Sequence, residues 1–141
     1  MSAQDNLKLS QTVYKLFSEG KLEQAVTLAN DDVEATLIPF GMTFKGREGF
    51  MQFMGGYKSA FPDITINIKN QVATDDQVVT EFTARGKHDG PLMTPNGPIP
   101  PTGREVEFVV CEVWKVKNGK LASIHNYYDN AGIMRQLGLI N

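Results

Sequence analysis

The sequence predicts an α+β fold in which helices cover one face of a curved antiparallel sheet. Apolar residues recur at helical spacing before Pro62, and strict polar–apolar alternation begins after it. Asn118-Gly119, the strongest short hairpin signal, then joins two long β runs. Helices followed by antiparallel strands are typical of α+β domains. The 141 residues suit one core, so a single domain is predicted over residues 1–141.

Two helical faces and one strand are expected before residue 39. The first helix carries one apolar stripe and ends at Gly20; its stripe is formed by Leu9, Val13, Leu16 and Phe17. A second, shorter face follows at Leu22, Ala25, Val26 and Ala29. Residues 33–38 then alternate as a strand does.

A third helix is predicted by an apolar face that ends where Pro62-Asp63 breaks the pattern. That face comprises Phe50, Phe53, Met54, Tyr57 and Phe61. Gly55-Gly56 lies inside it and weakens the helix by about 1 kcal/mol per Gly relative to Ala. Residues this small are expected to let the helix lie close to the sheet.

The second half is predicted to consist of strands and one loop. Residues 64–68 and 78–87 alternate as strands, separated by a turn at Asp75-Asp76. Residues 88–103 are rich in Pro and Gly and are predicted to be a loop rather than a strand. Residues 105–117 form a long strand, residues 120–129 return antiparallel to it, and a short terminal helix follows.

Composition excludes several classes of function. The net charge of -2 leaves no basic footprint for nucleic acid, and no apolar run approaches the roughly 18 residues that suggest a membrane span. The N-terminus has no apolar segment of a signal peptide. Cys111 is the single cysteine, so no internal disulfide is expected, and we expect a cytoplasmic protein. Two histidines without clustered ligands predict no metal site.

Glu112 is the first candidate for chemistry. It shares one face of the strand over residues 105–117 with an otherwise apolar row that includes Trp114. Burial raises the pKa of a carboxyl unless donors or a cation compensate, and a carboxyl tuned in this way is a usable general acid or base. The structural alternative is a Glu paired with a Lys or Arg across the sheet.

Other candidates flank this strand. On the return strand, Asn126 and Tyr128 share one side, and His125 and Asp129 share the other; alternation leaves open which side faces a pocket. For Asp129 the alternative to a functional role is capping the terminal helix. His125 is as readily an exposed or hydrogen-bonded residue. His88, where a strand enters the Pro-rich loop, is expected at a pocket mouth.

The second half of the chain resembles the SnoaL-like polyketide cyclases. The resemblance rests on Gly86-Lys87-His88-Asp89-Gly90-Pro91, on Pro100 to Arg104, on an acid two residues before a Trp (Glu112 and Trp114), and on the Asn118-Gly119-Lys120 turn. It continues at Ser123-Ile124-His125-Asn126, then Asp129, then Arg135-Gln136-Leu137-Gly138. It implies the cone-shaped, nuclear-transport-factor-2-like version of the fold and a pocket for a small hydrophobic molecule.

In that family an Asp on the last strand removes a proton next to carbonyls, and the enolate closes a ring in an intramolecular aldol step without metal or organic cofactor. That Asp falls on Asn126 here, and a helping His falls on Ile124. An amide is no general base, so the resemblance implies that the base is shifted to Glu112 or Asp129, or is absent. Asn126 and His88 would hold the oxygen. Substrate contacts are expected from Asn126, His125, Trp114 and Tyr128.

Two other functions stay open. A non-catalytic binding protein for a small molecule is favoured by Asn126 and Ile124, which replace the family's Asp and His. A hydrolase or dehydratase would use Glu112 with His88. Val109, Cys111 and Val113 make the opposite face of the long strand apolar, so we expect a homodimer or homotetramer that covers it.

Overall fold

Four helices are present in the structure, a computed structural model that describes residues 2–141. They are α1 (Ala3–Ser18), α2 (Leu22–Val26), α3 (Gly46–Ala60) and α4 (Asn130–Gln136). Ser2 and Asp5 form a capping box that starts α1. A 3-10 turn at Ile38–Phe40 follows the first strand. None of these helices has both the length and the apolar character needed to cross a membrane.

Six strands form one sheet against which α1 and α3 pack. The strands are β1 (Ala29–Leu37), β2 (Met42–Lys45), β3 (Thr65–Ala73), β4 (Gln77–Lys87), β7 (Glu105–Lys117) and β8 (Lys120–Tyr128). Their order across the sheet is β2-β1-β8-β7-β4-β3. The predicted hairpin between β7 and β8 is confirmed, since Asn118 and Gly119 both have positive φ, as a type I′ turn requires.

One pairing departs from the predicted antiparallel sheet. β1 lies parallel to β8, with Leu37 opposite Asn126, while the other neighbouring strands of this sheet run antiparallel. The alternation in β1 predicts a strand but carries no information about its partner. The parallel pairing sets β1 beside β8, the last strand of the chain, so the sheet extends across α3, which β1 contacts.

The Pro-rich segment is more regular than predicted. Within residues 88–103 the structure has two short strands, β5 (Leu92–Thr94) and β6 (Gly97–Ile99), which form a separate two-stranded hairpin. Gly97 has a φ of 104°, a conformation that only Gly adopts at low cost, and it begins the return strand. The prediction that this segment lies outside the main sheet is correct, but the segment still forms its own pair of strands.

The face assignments are confirmed for β7 and corrected for β8. On β7, Val106, Val110 and Trp114 are buried, while the intervening Val109 is 62% exposed. On β8 a register shift opposite Lys115 and Val116 turns Leu121 inward together with Ile124 and Asn126. Simple alternation places Leu121 with the outward row, because it does not foresee a bulge.

The pair Gly55-Gly56 does not lie against the sheet as expected. A Cβ built at either position would meet nothing within 4 Å outside the helix backbone. Neither residue has a positive φ. Close packing and backbone conformation therefore both fail to explain two glycines in the middle of α3.

Candidate active site

A row of polar side chains crosses the inner face of the sheet. Thr80 on β4 lies opposite Glu112 on β7, which lies opposite Asn126 on β8. Directly opposite residues have neighbouring side chains, and all three are buried, with at most 4% of each exposed. The apolar face that packs against α1 and α3 is thus interrupted by one continuous polar row.

Glu112 accepts three hydrogen bonds from uncharged donors. The hydroxyl of Tyr14 on α1 donates to Oε1 at 2.7 Å, and Nε1 of Trp114 donates to the same oxygen at 3.0 Å. Nδ2 of Asn126 donates to Oε2 at 2.7 Å. A carboxylate has about four acceptor sites, so one site on Oε2 is left for a further proton or donor.

No cation compensates this carboxylate. Within residues 2–141, the ion pairs are Lys21–Glu19, Arg47–Asp31 and Arg85–Glu105, and none includes Glu112. Burial raises the pKa of Glu112 above its usual value of 4.5, while the hydrogen bonds from Tyr14, Asn126 and Trp114 act in the opposite direction. The structural alternative of a cross-sheet pair with Lys or Arg is therefore wrong.

Asn126 is oriented by partners on both sides. Its Oδ1 accepts a hydrogen bond from the Tyr57 hydroxyl at 2.9 Å, while its Nδ2 donates to Glu112. These bonds fix which end of the amide faces the carboxylate. Burial raises the pKa values of Tyr14 and Tyr57 well above 10.0, so both hydroxyls stay protonated as donors.

Glu112 and Asn126 face a small inner cavity of about 40 Å³. Its wall is otherwise almost entirely apolar and includes Phe50, Phe82, Phe108, Val110 and Ile124. At roughly 10–15 Å³ for each water, this volume holds about three waters. The cavity brings the carboxylate next to an apolar wall, but an organic ligand of more than a few atoms requires more room.

A larger outer chamber of about 290 Å³ lies on the other side of Phe53 and Tyr57. These two side chains line both spaces and form the partition between them. The other residues that line the chamber are Leu37, Phe40, Met42, Phe44, Gln52, Gly56, Leu92, Met93 and Tyr128. The chamber is mostly apolar, and its volume is close to that of a small-ligand pocket.

The structure places His88 away from both spaces. Its imidazole is fully buried and packs against Phe61, with ring centroids 5.7 Å apart. Nδ1 accepts a hydrogen bond from the backbone N–H of Thr102 at 3.2 Å, and burial lowers the pKa of His88. The side chain expected at the pocket mouth instead joins the two ends of the Pro-rich segment.

His125 and Asp129 also lie outside the cavity. His125 is on the outer face of β8 and is exposed, because the cavity-facing side of the strand carries Ile124 and Asn126. Asp129 is exposed and caps α4, accepting a hydrogen bond from the Gly132 N–H at 3.0 Å. The structure does not bring these two residues to Glu112.

Trp114 and Tyr128 each line one of the two spaces. Trp114 is buried beside Glu112 in the inner cavity. Tyr128 lines the outer chamber between Phe108 and Phe40, with ring centroids 6.0 Å and 6.5 Å away. Burial raises the pKa of Tyr128 to about 12.

Sequence patterns miss the functional position of two tyrosines. Helical spacing predicts Tyr57 only as a core residue of α3, and it does not single out Tyr14. Tyr14 falls next to Val13 and three residues before Phe17, on the buried stripe of α1. A buried Tyr hydroxyl usually finds a polar partner, so a Tyr on that stripe is the available signal. The part of the chain from residue 2 onward has no group of three His, Cys, Asp or Glu side chains placed to hold a metal ion.

Comparisons with known proteins identify the family and the fold. The family model of the SnoaL-like polyketide cyclases matches residues 8–137. IdmH from Streptomyces antibioticus, a candidate polyketide cyclase, is 28% identical, with a TM-score of 0.76 over 93% of this chain and 96% of its own.

Two further solved structures share the fold. TsrD from Streptomyces laurentii is 20% identical, with a TM-score of 0.84 over 99% of both chains. A candidate SnoaL-like polyketide cyclase from a Jannaschia species is 17% identical, with a TM-score of 0.84 over 99% of this chain and 95% of its own. A search of curated protein sequences found no match. With the family model matching nearly the whole chain, this protein belongs to the SnoaL-like polyketide cyclase family.

Proposed function

We propose that the protein is a cofactor-independent cyclase or isomerase that acts on a small hydrophobic carbonyl compound, with Glu112 as the general base. One observation carries this proposal. Glu112 is the sole carboxylate among the residues that line the inner cavity, and it is held by neutral donors with no cation. A base that is buried but still has a free acceptor site suits proton transfer from carbon.

In the proposed step, a lone pair on Glu112 Oε2 takes the proton from a carbon next to a carbonyl group. The electron pair of the broken C–H bond forms the enolate. The enolate carbon then attacks an aldehyde or ketone carbon of the same molecule, and the resulting alkoxide takes the proton back from Glu112. In the isomerase version the proton returns to another carbon. Protons balance in both versions.

The donors around Glu112 supply the stabilisation that this step needs. As Glu112 becomes protonated, its negative charge disappears and an equal charge develops on the substrate oxygen. The N–H and O–H groups that served the carboxylate are then free to turn toward that oxygen. We assign this part to Asn126 and Tyr14, whose donors are held at Glu112 and have only to shift from its carboxyl oxygens to the substrate oxygen beside them. His88 and Asp129 have no part in the proposed step.

The alternative is a binding protein without catalysis. It is favoured by Asn126, an amide at the position where the resemblance implies a catalytic Asp. Under this alternative the outer chamber binds the ligand, and Glu112 serves only as the hydrogen-bonding partner that satisfies three buried donors. The hydrolase or dehydratase hypothesis loses its second residue, since His88 contacts neither space.

Proton abstraction from benzoylacetone tests the proposal directly, because this diketone has an acidic carbon between two carbonyls. Enolisation is followed by the ultraviolet absorbance of the enol. We expect the protein to accelerate it, and Glu112→Gln to lower the acceleration by about 10²–10⁴-fold. Asp129→Asn, a matched change of an exposed carboxylate, should leave it unchanged.

The Glu112→Gln change is expected to fit without leaving one donor facing another. The Asn126 amide can flip, so that its oxygen accepts from the N–H of the introduced amide and its nitrogen donates to the Tyr57 hydroxyl oxygen. If benzoylacetone binds, seen as quenching of Trp114 fluorescence, while enolisation stays at the buffer rate, the catalytic proposal fails and the binding alternative is supported.

We further propose a homodimer formed through the outer face of the sheet. This face carries Val109, Val72 and Tyr127, which are 62%, 59% and 42% exposed. Apolar side chains grouped on one exposed sheet face are typical of an interface. Val109→Asp should shift the sedimentation coefficient to that of a monomer. An unmodified protein that sediments as a monomer across a wide concentration range would contradict this proposal.

A further inference from the structure

The partition between the two spaces raises the question of how a ligand reaches Glu112. The inner cavity has a volume of about 40 Å³, and the outer chamber about 290 Å³. Phe53 and Tyr57 on α3 are the side chains that line both. A carbonyl compound that enters the outer chamber therefore meets the aromatic rings of α3 before it meets the carboxylate.

Tyr57 is held by a hydrogen bond that Phe53 cannot make, and we call this bond the latch. The Tyr57 hydroxyl donates to Asn126 Oδ1 at 2.9 Å, and its side chain is only half-buried. Phe53, by contrast, is 6% exposed and packs against the rings of Phe44 and Phe50, 6.1 Å and 6.5 Å away. Of the two partition residues, Tyr57 is the more exposed, and it is held by the hydrogen bond to Asn126 and by edge-to-face packing on Phe53, with ring centroids 5.7 Å apart.

The two glycines that precede Tyr57 give α3 the freedom that such a movement needs. Gly55 and Gly56 have open space at the Cβ position and no positive φ, so neither packing nor turn geometry accounts for them. A glycine inside a helix lowers the cost of leaving the helical conformation. The weakest part of α3 thus lies immediately before its latched residue.

From these observations we propose that Tyr57 is a gate between an outer chamber that receives the ligand and the inner cavity that contains Glu112, and that Gly55-Gly56 allows the gate to open. The opening breaks the hydrogen bond to Asn126 and joins the two spaces. The same movement frees the Asn126 carbonyl oxygen, so entry of a ligand and rearrangement of the polar row occur together. The existence of the gate does not depend on the proposed function. Only the role of the inner cavity as the place of proton transfer rests on that function.

Trp114 gives a readout that does not depend on catalysis. It is the single tryptophan of the chain, lines the inner cavity and is 1% exposed. Acrylamide, a neutral quencher, reaches its ring when the gate is open. A change in the rate constant for acrylamide quenching of Trp114 fluorescence between the unmodified protein and a gate variant therefore reports on the partition.

We expect Tyr57→Phe, which removes only the latch, to raise this rate constant by between about 2-fold and 10-fold, the equilibrium equivalent of one neutral hydrogen bond. We expect Gly55→Ala to lower it by up to about 5-fold, the equivalent of one Gly-to-Ala difference in helix propensity. Gly55 lines neither space, so its methyl group cannot act by filling one.

Thr12→Ala is the matched control for helix stability. Thr12 is exposed on α1 and bonds back to the Lys8 carbonyl, so this change raises helix propensity away from α3. It should leave the quenching rate constant unchanged. If Tyr57→Phe and Gly55→Ala both quench at the rate of the unmodified protein, the gate does not exist.

Enolisation of benzoylacetone separates this proposal from the catalytic one. If the gate variants change quenching while Glu112→Gln leaves enolisation unchanged, the gate stands and the catalytic proposal fails. If Glu112→Gln abolishes enolisation while quenching is the same in both gate variants, the catalytic proposal stands and the gate fails.

Discussion

Removal of the Tyr14 hydroxyl tests the electrostatic account of Glu112. Tyr14→Phe keeps the ring, which packs against Phe82 and Trp114 at centroid distances of 5.4 Å and 5.2 Å, and deletes the 2.7 Å hydrogen bond to Oε1. A hydrogen bond to a charged group contributes about 1.5–3 kcal/mol, and one to a neutral group about 0.5–1.5 kcal/mol. The variant should therefore lose more stability when Glu112 is ionised than when it is protonated.

The pH dependence follows from the direction of the pKa shift. Burial raises the pKa of Glu112 in the folded protein above 4.5, so between these two values the folded state holds a proton that the unfolded state has released. The contribution of Glu112 to stability is thus present at low pH and is lost as pH rises through the folded pKa. Tyr14→Phe raises that pKa further, by about one unit for each 1.4 kcal/mol of difference.

Urea unfolding at a series of pH values measures this effect. We expect the cost of Tyr14→Phe to grow by about 1–1.5 kcal/mol from the acidic to the alkaline side of the transition. In the Glu112→Gln background, position 112 does not titrate and the cost should be independent of pH. Tyr57→Phe is the control, since its hydroxyl donates to the neutral Asn126 amide. Equal cost of Tyr14→Phe at both ends of the pH range would refute the reasoning.

Three further outcomes are expected. Asn126→Asp brings a second carboxyl to the 2.7 Å contact with Glu112, so the pair should share a proton, and urea unfolding should show a loss of stability that reverses on acidification. His88→Leu removes the acceptor of the half-buried Thr102 N–H and should cost about 1–3 kcal/mol in urea unfolding. It should also remove the loss of stability that protonation of His88 causes as pH falls below 6.5, without any change in enolisation. Asp129→Ala removes the cap of α4 and should cost about 1 kcal/mol in thermal unfolding, again with enolisation unchanged.

The sequence predicts the position of the carboxylate better than it predicts the residues around it. Alternation alone puts Glu112 in the apolar row of its strand, because a strand of regular pleat keeps every second side chain on one face. The same rule leaves open which face of β8 points inward, and it fails at Leu121, where a bulge shifts the register. A bulge has no compositional signal in this chain, whereas the Asn118-Gly119 turn has a strong one.

The three donors to Glu112 illustrate what local patterns can and cannot reveal. Trp114 lies two residues away on the same face and is within reach of sequence reasoning. Tyr14 is 98 residues away, and Asn126 meets Glu112 through the pairing of β7 with β8. Contacts between distant elements depend on how α1 packs against the sheet, which helical periodicity does not determine. Sequence patterns equally do not reveal that His88 bonds across the Pro-rich segment or that Asp129, capping α4, lies outside both spaces.

The parallel pairing of β1 with β8 has a consequence for how the molecule folds. Ala29 and Leu121, which this pairing joins, are about 90 residues apart in the chain. Contacts of such wide sequence separation form late, because closing the intervening loop costs entropy before any pairing rewards it. β8 already pairs with β7 through the Asn118-Gly119 hairpin, so the late step is the docking of β1 along β8, the strand that carries Asn126. A partly folded chain can therefore bring Glu112 opposite Asn126 before β1 docks, whereas the outer chamber, which Leu37 of β1 lines, is complete only after that docking.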